Sequence, residues 1–459
     1  MRGGRALVLA AAIAAVAACA AVKNRRLYAL MWEETRQNRY DAALAMLDDE
    51  AFYGPDSALL TAQTRGQLLY LKGDWDAAAH ELDRAGGLAD SLYTVSVGSK
   101  LKAAAASEAS DIYYGSPLES SMTRYYALLA HAHLAQDTAR PEAERRASLD
   151  AAGAVARGWG AMLAGVKNEG KEDFRASVLA SVAGAAAQAA RGAAEGAGLA
   201  RSLWKAAGST LASDYGAYPS LAAGTAGRKA LEAFLKDAPK AKDGGFLLFV
   251  ADRPSPPLRA ELVEIPLPIS LAAAGISAKE KQSFAEFLPS LAAGTTIAFE
   301  TPAQDKPDPS LPWQVELVPD GGQVMAAKAD APVVEPVAEI AWRRFDSGSA
   351  ARTARLTARL TAKHAAAIAA AYLLWKQMGG SQAGALAALL SYHGAAAAIA
   401  ESERADTRGW ATLPRAVRVA RLAGVPAGRY TARLYEDGRL VAVRPVEIPE
   451  GAWIADANL

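Results

Sequence analysis

The sequence predicts an α+β protein, with an N-terminal array of stacked helix pairs followed by a small β-sandwich-like domain that carries an inserted helical hairpin. Three observations lead there. Residues 23–235 repeat apolar positions every three or four residues, punctuated by short Gly or Pro breaks. From about Asp243 proline and β-formers rise and the apolar runs shorten. Residues 343–402 return to a helical period before two strands close the chain.

The 459 residues suffice for two or three domains, and 50 Lys and Arg offset 49 Asp and Glu to a net charge of +1. That balance lacks the basic excess of a nucleic-acid binder, so no nucleic-acid partner is expected. The single cysteine excludes an intrachain disulfide and a cysteine-based zinc site. Arg2 and Arg5 precede an uninterrupted apolar run, 6–18, whose 13 residues fall short of a bilayer span; such a span takes about 20. The run ends Val16-Ala17-Ala18-Cys19, small residues before a cysteine, and resembles the bacterial lipobox. In that pattern 1–18 are a lipoprotein signal peptide, and Cys19 receives lipid, palmitate included, on its sulfur and new amino group. The alternatives are an uncleaved anchor reaching Val22, against which weakly apolar Ala counts, or a secretory signal with an incidental cysteine. Two acyl chains already anchor a protein stably. Ala20, rather than Asp, follows the cysteine; by analogy with enterobacterial sorting this favours the outer membrane.

The helical region is expected over 19–240. Asn38-Arg39-Tyr40-Asp41-Ala42-Ala43 is echoed 35 residues later by Gly73-Asp74-Trp75-Asp76-Ala77-Ala78, and Leu47 by Leu82. Gly66, Leu69, Ala78, Leu82 and Ala85 alternate small and large at the spacing of the tetratricopeptide (TPR) pattern, and Pro55 stands where such a repeat ends its second helix. A small residue lets antiparallel helices approach, a large one fills the gap beside it, and Lys72-Gly73-Asp74 turns the corner. The other reading is an ordinary helical bundle. Residues 121–136 and 143–166 are expected to form a further pair. So are 173–211, broken by Gly192, Gly196 and Gly198. No pair buries its apolar face alone, so the pairs must stack.

A β-rich segment is expected over 241–342, with runs at 246–251, 258–265, 295–299 and 313–318. Prolines 254, 256, 257, 266 and 268 restrict these to edge strands or short pieces. A helical hairpin follows over 343–403, broken at Gly379-Gly380, with Arg352, Arg355 and Arg359 spaced for one exposed face. Its segment 365–375 is apolar, but Lys363 and Lys376 bracket it too closely for a membrane span. Residues 404–459 are expected to complete the β domain. Strands 429–435 and 439–446 flank Glu436-Asp437-Gly438, and Asp-Gly suits the positive φ angles of a type I′ turn.

The chain has no G-x-S-x-G elbow, no H-E-x-x-H helix and no phosphate-binding P-loop. No enzyme, cofactor or metal site is expected. His131 and His133 lie two apart on a helix and cannot share a metal. His80, His364 and His393 read as surface or helix-flank residues. Carboxylate groups such as Asp48-Asp49-Glu50 read as solvated faces. The distinctive polar stretch is Arg404-Ala405-Asp406-Thr407-Arg408-Gly409-Trp410. Asp406, Arg408 and Trp410 could form a binding surface, a guanidinium beside a stacking indole. The structural reading, which we favour, has Asp406 capping or pairing with Arg408 while Trp410 seals the seam between domains.

The acylated cysteine, the TPR-like helices, Tyr113-Tyr114-Gly115-Ser116-Pro117-Leu118-Glu119 before a helix, A-D-T-R-x-W-x-x-L-P at 405–414 and the late P-x-G-x-Y strand entry at 426–430 together resemble one family. This is the group of poorly characterised bacterial TPR-containing lipoproteins, some encoded near curli-secretion-like lipoproteins. The resemblance implies an envelope location and supplies no activity. The leading expectation is a lipid-anchored scaffold on the periplasmic face of the outer membrane, non-catalytic, gripping envelope protein partners in the groove of its helix pairs. The competing one is a periplasmic glycan or peptidoglycan-fragment binder using the β domain and the 404–414 loop. The oligomeric state stays open.

Overall fold

The computed structural model describes residues 27–49, 52–99, 112–169, 174–192, 194–236, 245–266, 282–283, 286–287, 296–402 and 407–459. The expectations for Cys19 and Asp406 lie outside the described residues. The chain is α+β, and the helical part precedes the strands.

Helix α1 (27–36) leads into α2 (Tyr40–Met46), followed by α3 (Ala58–Lys72) and α4 (Trp75–Ser99), α5 (Pro117–Gln136) and α6 (Glu142–Glu169), α7 (Val178–Ala190) and α8 (Ala194–Asp214), and the short α9 (Ala226–Lys236). The echoed turns match in backbone: Asn38 has φ 58° and Gly73 φ 90°. Gly66 is where α3 meets α4, because a Cβ there would fall 2.6 Å from Leu82 Cγ. Ala78, Leu82 and Ala85 are buried on the facing helix. Of the three glycines expected to break 173–211, only Gly192 does so, at φ 69°. Gly196 and Gly198 lie within α8. A Cβ on Gly196 would meet Gln188 O at 2.6 Å, so this glycine serves the close crossing of α7 and α8.

Strand β1 (Phe246–Ala251) is buried at all six residues. It runs parallel to β10 (Ile454–Asp456) and antiparallel to β7 (Val417–Leu422), which also pairs with β6 (Val333–Glu335). It is therefore an interior strand rather than the edge piece expected; the prolines that suggested an edge all follow it. A second sheet orders β5 (Ala327–Ala331), β4 (Trp313–Pro319), β8 (Gly428–Glu436) and β9 (Arg439–Ile448), all antiparallel. Asp437 and Gly438, at φ 48° and 76°, make the β8–β9 turn. The β2 (Arg259–Pro266) and β3 (Thr296–Ala303) pair forms a separate two-stranded ribbon.

Burial of β1 on both faces makes three layers. Phe246, Leu248, Val250 and Leu422 join Trp313, Val315, Leu317 and Leu434 in a core between the two four-stranded sheets. Leu247, Phe249, Val417, Val419 and Ile454 join the core of the helices. The first helices of three successive pairs reach toward this sheet. Gln67 of α3 donates to Thr412 O at 2.8 Å, Gln136 of α5 donates to Ile454 O and accepts from Trp453 N, and Ser177, which caps α7, donates to Glu335. His133 joins the same seam, stacked on Trp75 with Nε2 2.6 Å from Asp456 Oδ1. Of the three histidines expected at the surface, His80 and His393 are exposed and His364 is buried beside Tyr392; His131 is buried beside Asp83.

Between β6 and β7 the chain makes the long helix α10 (Val337–Gln377) and returns by α11 (Gln382–Ser402). Only the first turn of α10, with Val337 and Ile340, enters the main core. Further out, Leu356 and Leu360 pack on Phe299 of the ribbon, and Ile368, Tyr372, Ala388 and Tyr392 enclose Phe287.

Glu335, 1 % exposed, accepts hydrogen bonds from Ser177 and Tyr215. Burial outweighs these bonds and pushes its carboxyl up to about 7. An acid raised above its unfolded value contributes stability below about pH 4.5, and that contribution is lost as pH rises through 7. The loss is roughly 3 kcal/mol for a shift of this size. Glu335→Gln is expected to flatten the fall in thermal stability between pH 5 and 8, read by melting curves; an unchanged pH profile would show that Glu335 does not titrate with folding.

Candidate functional site

The loop 407–416 leads into β7 and is held as an extension of its ladder with β1. Asp252 N donates to Ala416 O, Arg415 N to Arg253 O and Ser255 N to Leu413 O. From the helical side Gln67 fixes Thr412, donating to its carbonyl and accepting from its hydroxyl at 2.5 Å. The loop is thus clamped between strands and helices, which makes it a rigid support for side chains.

Two of the stretches named for the sequence resemblance, 113–119 and the described part of 405–414, meet here. Ser116 caps α5 by accepting from Glu119 N at 3.1 Å, an S-x-x-E cap with Pro117 at the first helical position. That cap aims the Glu119 carboxylate, which accepts from Trp410 N at 3.1 Å and from the Tyr113 hydroxyl. Arg408 lies with its guanidinium 5.8 Å from the Tyr113 ring centre and donates to Ser57 Oγ at 3.2 Å. Trp410 is 4 % exposed, tilted against Tyr126 at 6.3 Å. Trp410 is thus packed at the junction of helices and sheet and Arg408 bonds the helical side, while the expected pairing of Asp406 with Arg408 lies outside the described residues.

Beside this junction is a cleft of about 640 Å³. One wall is 407–413 with Tyr113 and Glu119; the other is the root of α10, with Arg344, Phe345, Arg352 and Arg355; Ser255 to Leu258 and Gln304 line it between them. Arg344, Arg352, Arg355 and Arg408 are among the lining residues, and Glu119 is the one acidic side chain among the described residues that line it. The Trp410 Nε1 and Ser255 Oγ atoms are buried without a hydrogen-bond partner among the described residues, two more donors in side chains of the cleft wall. Arginine presents a rigid fork of donors that matches carboxylate, phosphate or sulfate. The arrangement suits an anion of small-molecule size with apolar or ring surface to lay on Tyr28, Tyr113 or Phe345.

Sequence reasoning placed Arg408 and Trp410 here but read Arg352 and Arg355 as solvated stripe. Their i, i+3 spacing was the usable signal; nothing in the sequence showed that this stripe would lie across from 407–413. Among the described residues no group of three or more His, Cys, Asp or Glu is placed to hold a metal ion. Family models, curated proteins and solved structures yield no match to this chain.

Trp410→Ala removes a ring from a packed seam, a loss of about 3–5 kcal/mol. The melting temperature is expected to fall by roughly 3–5 °C, given the large unfolding entropy of one cooperative unit of this size. A melting temperature within a degree of wild type would return Trp410 to a purely ligand-facing role.

Proposed function

We propose that this chain is a lipid-anchored, non-catalytic binding protein of the bacterial envelope, whose cleft between helices and β domain takes an anionic glycan-type ligand such as a peptidoglycan fragment. The observation that supports this reading is that α10 and the 407–410 loop contribute four arginines, Arg344, Arg352, Arg355 and Arg408, to the lining of one cleft of about 640 Å³. Peptidoglycan fragments offer carboxylates for the guanidiniums and sugar rings for the aromatic wall. The lipobox-like residues ending at Cys19 support anchoring at the periplasmic face of the outer membrane, and the lack of a nucleophile or metal motif in the sequence supports binding without turnover.

The helix pairs are read as TPR-like on the Gly66–Leu82 approach and the paired turns at Asn38 and Gly73. A scaffold gripping protein partners through the groove of such pairs needs that face open. Here α3, α5 and α7 direct it at the chain's own sheet through Gln67, Gln136 and Ser177. We therefore place the ligand in the cleft and not along the helices.

Arg355 is exposed on α10, so its removal should leave folding intact. One charge-assisted pair is worth about 1.5–3 kcal/mol, so Arg355→Ala should weaken muropeptide binding at least roughly tenfold in calorimetric titration. A neutral chitooligosaccharide should bind far more weakly than an acidic muropeptide, and added salt should narrow the gap. Equal affinity for both, or none for either at millimolar concentration, would refute the reading.

A further inference from the structure

The α10–α11 hairpin poses a separate problem. Among the described residues one helix is long and apolar enough to cross a membrane, 382–400 in α11, and only 17 % of that stretch is buried. Helices apolar on every side occur in cores or in lipid, and low burial removes the core as the reason. Its buried positions, Gly384, Ala388 and Tyr392, form a single stripe toward α10. Leu389, Ala396 and Ile399 pack against the hairpin's clusters, whereas Leu386 and Leu390 face outward, 59 % and 53 % exposed, and Leu373 and Met378 are exposed at the same end of the hairpin. All four lie on the outer third of an arm about 60 Å long, at 1.5 Å per residue, and among the described residues the hairpin beyond Ala341 shares no buried cluster with the main core.

We infer that the outer part of this hairpin enters the acyl layer of a phospholipid membrane, with Leu373, Met378, Leu386 and Leu390 in hydrocarbon. Three observations favour lipid over a protein groove. A groove-binding helix keeps a polar face toward solvent, whereas α11 carries no Asp, Glu, Lys or Arg from Gln382 to Ala400. That uncharged length, about 28 Å, is close to the ~30 Å of a hydrocarbon core. Charge is also segregated: residues 343–400 hold seven basic side chains against Asp346 alone, in a chain of net charge +1. Glu261 and Glu300 of the ribbon lie near Arg352 and Arg359, but Lys363 and Lys376 bracket the uncharged segment of α10. The inference is independent of acylation at Cys19.

The test uses the full chain with Cys19→Ser, so that an engineered cysteine is the only thiol. An environment-sensitive fluorophore is placed by Leu386→Cys or Leu390→Cys, or, as the reference, by Glu447→Cys on the exposed side of β9. On adding phosphatidylglycerol–phosphatidylethanolamine vesicles, the labels at 386 and 390 should brighten several-fold and be quenched by nitroxide carried on the lipid tails, while 447 stays constant. Leu386→Glu with Leu390→Glu should reduce vesicle flotation at least fivefold with an unchanged melting temperature, since both positions are exposed. Labels at 386 and 390 that ignore vesicles would overturn the inference. So would labels already shielded in buffer in a manner that grows with protein concentration, which would give the face to a second copy of the chain.

Discussion

Six consecutive apolar residues, Phe246 to Ala251, must be dry on both faces, and the architecture follows from that requirement. A strand in an ordinary two-layer domain alternates and shows one side to water. β1 cannot. One face meets the second sheet through Leu248 and Trp313, and the other meets the helices through Phe249, whose ring lies 6.0 Å from Tyr125 of α5. The sheet therefore needs the helices, and the helices turn toward it the face that carries Tyr125.

Apolar contact alone would leave this seam free to slide; polar pairs fix its register. Gln136 substitutes for a strand neighbour of β10, taking Trp453 N and giving to Ile454 O. Gln67 fixes Thr412 by donating to its carbonyl and accepting from its hydroxyl. Inside the sandwich, Arg418 lies flat over Trp313 at 3.6 Å and donates to Leu311 O and Asp252, a buried cation made tolerable by three partners at once. Each bond is modest. Their value is that a slipped seam would strand buried donors, a cost that falls on every wrong register.

Much of this was legible in the sequence. The 246–251 and 313–318 runs, the Asp437-Gly438 turn and the Gly379-Gly380 break each carry a local signal strong enough to survive packing. Strands β7 and β10 did not stand out, because Arg418 and Arg421 interrupt the one and the other spans three residues. His364 looked superficial because the sequence cannot show that Tyr392 would meet it. The cleft was half legible: Arg408 and Trp410 were visible as an odd cluster, but its opposite wall is Arg352 and Arg355, more than 50 residues earlier. Only the fold brings those walls together.

The central claim is that helices and sheet are one unit, with the inner helix face permanently covered. Hydrogen exchange by mass spectrometry across a gentle denaturant series tests this most directly. The account predicts that β1, β7 and β10 lose protection at the same denaturant concentration as α3, α5 and α7, in one cooperative step. Strands that open first while those helices stay protected would contradict it, and would return the helix groove to use by a protein partner.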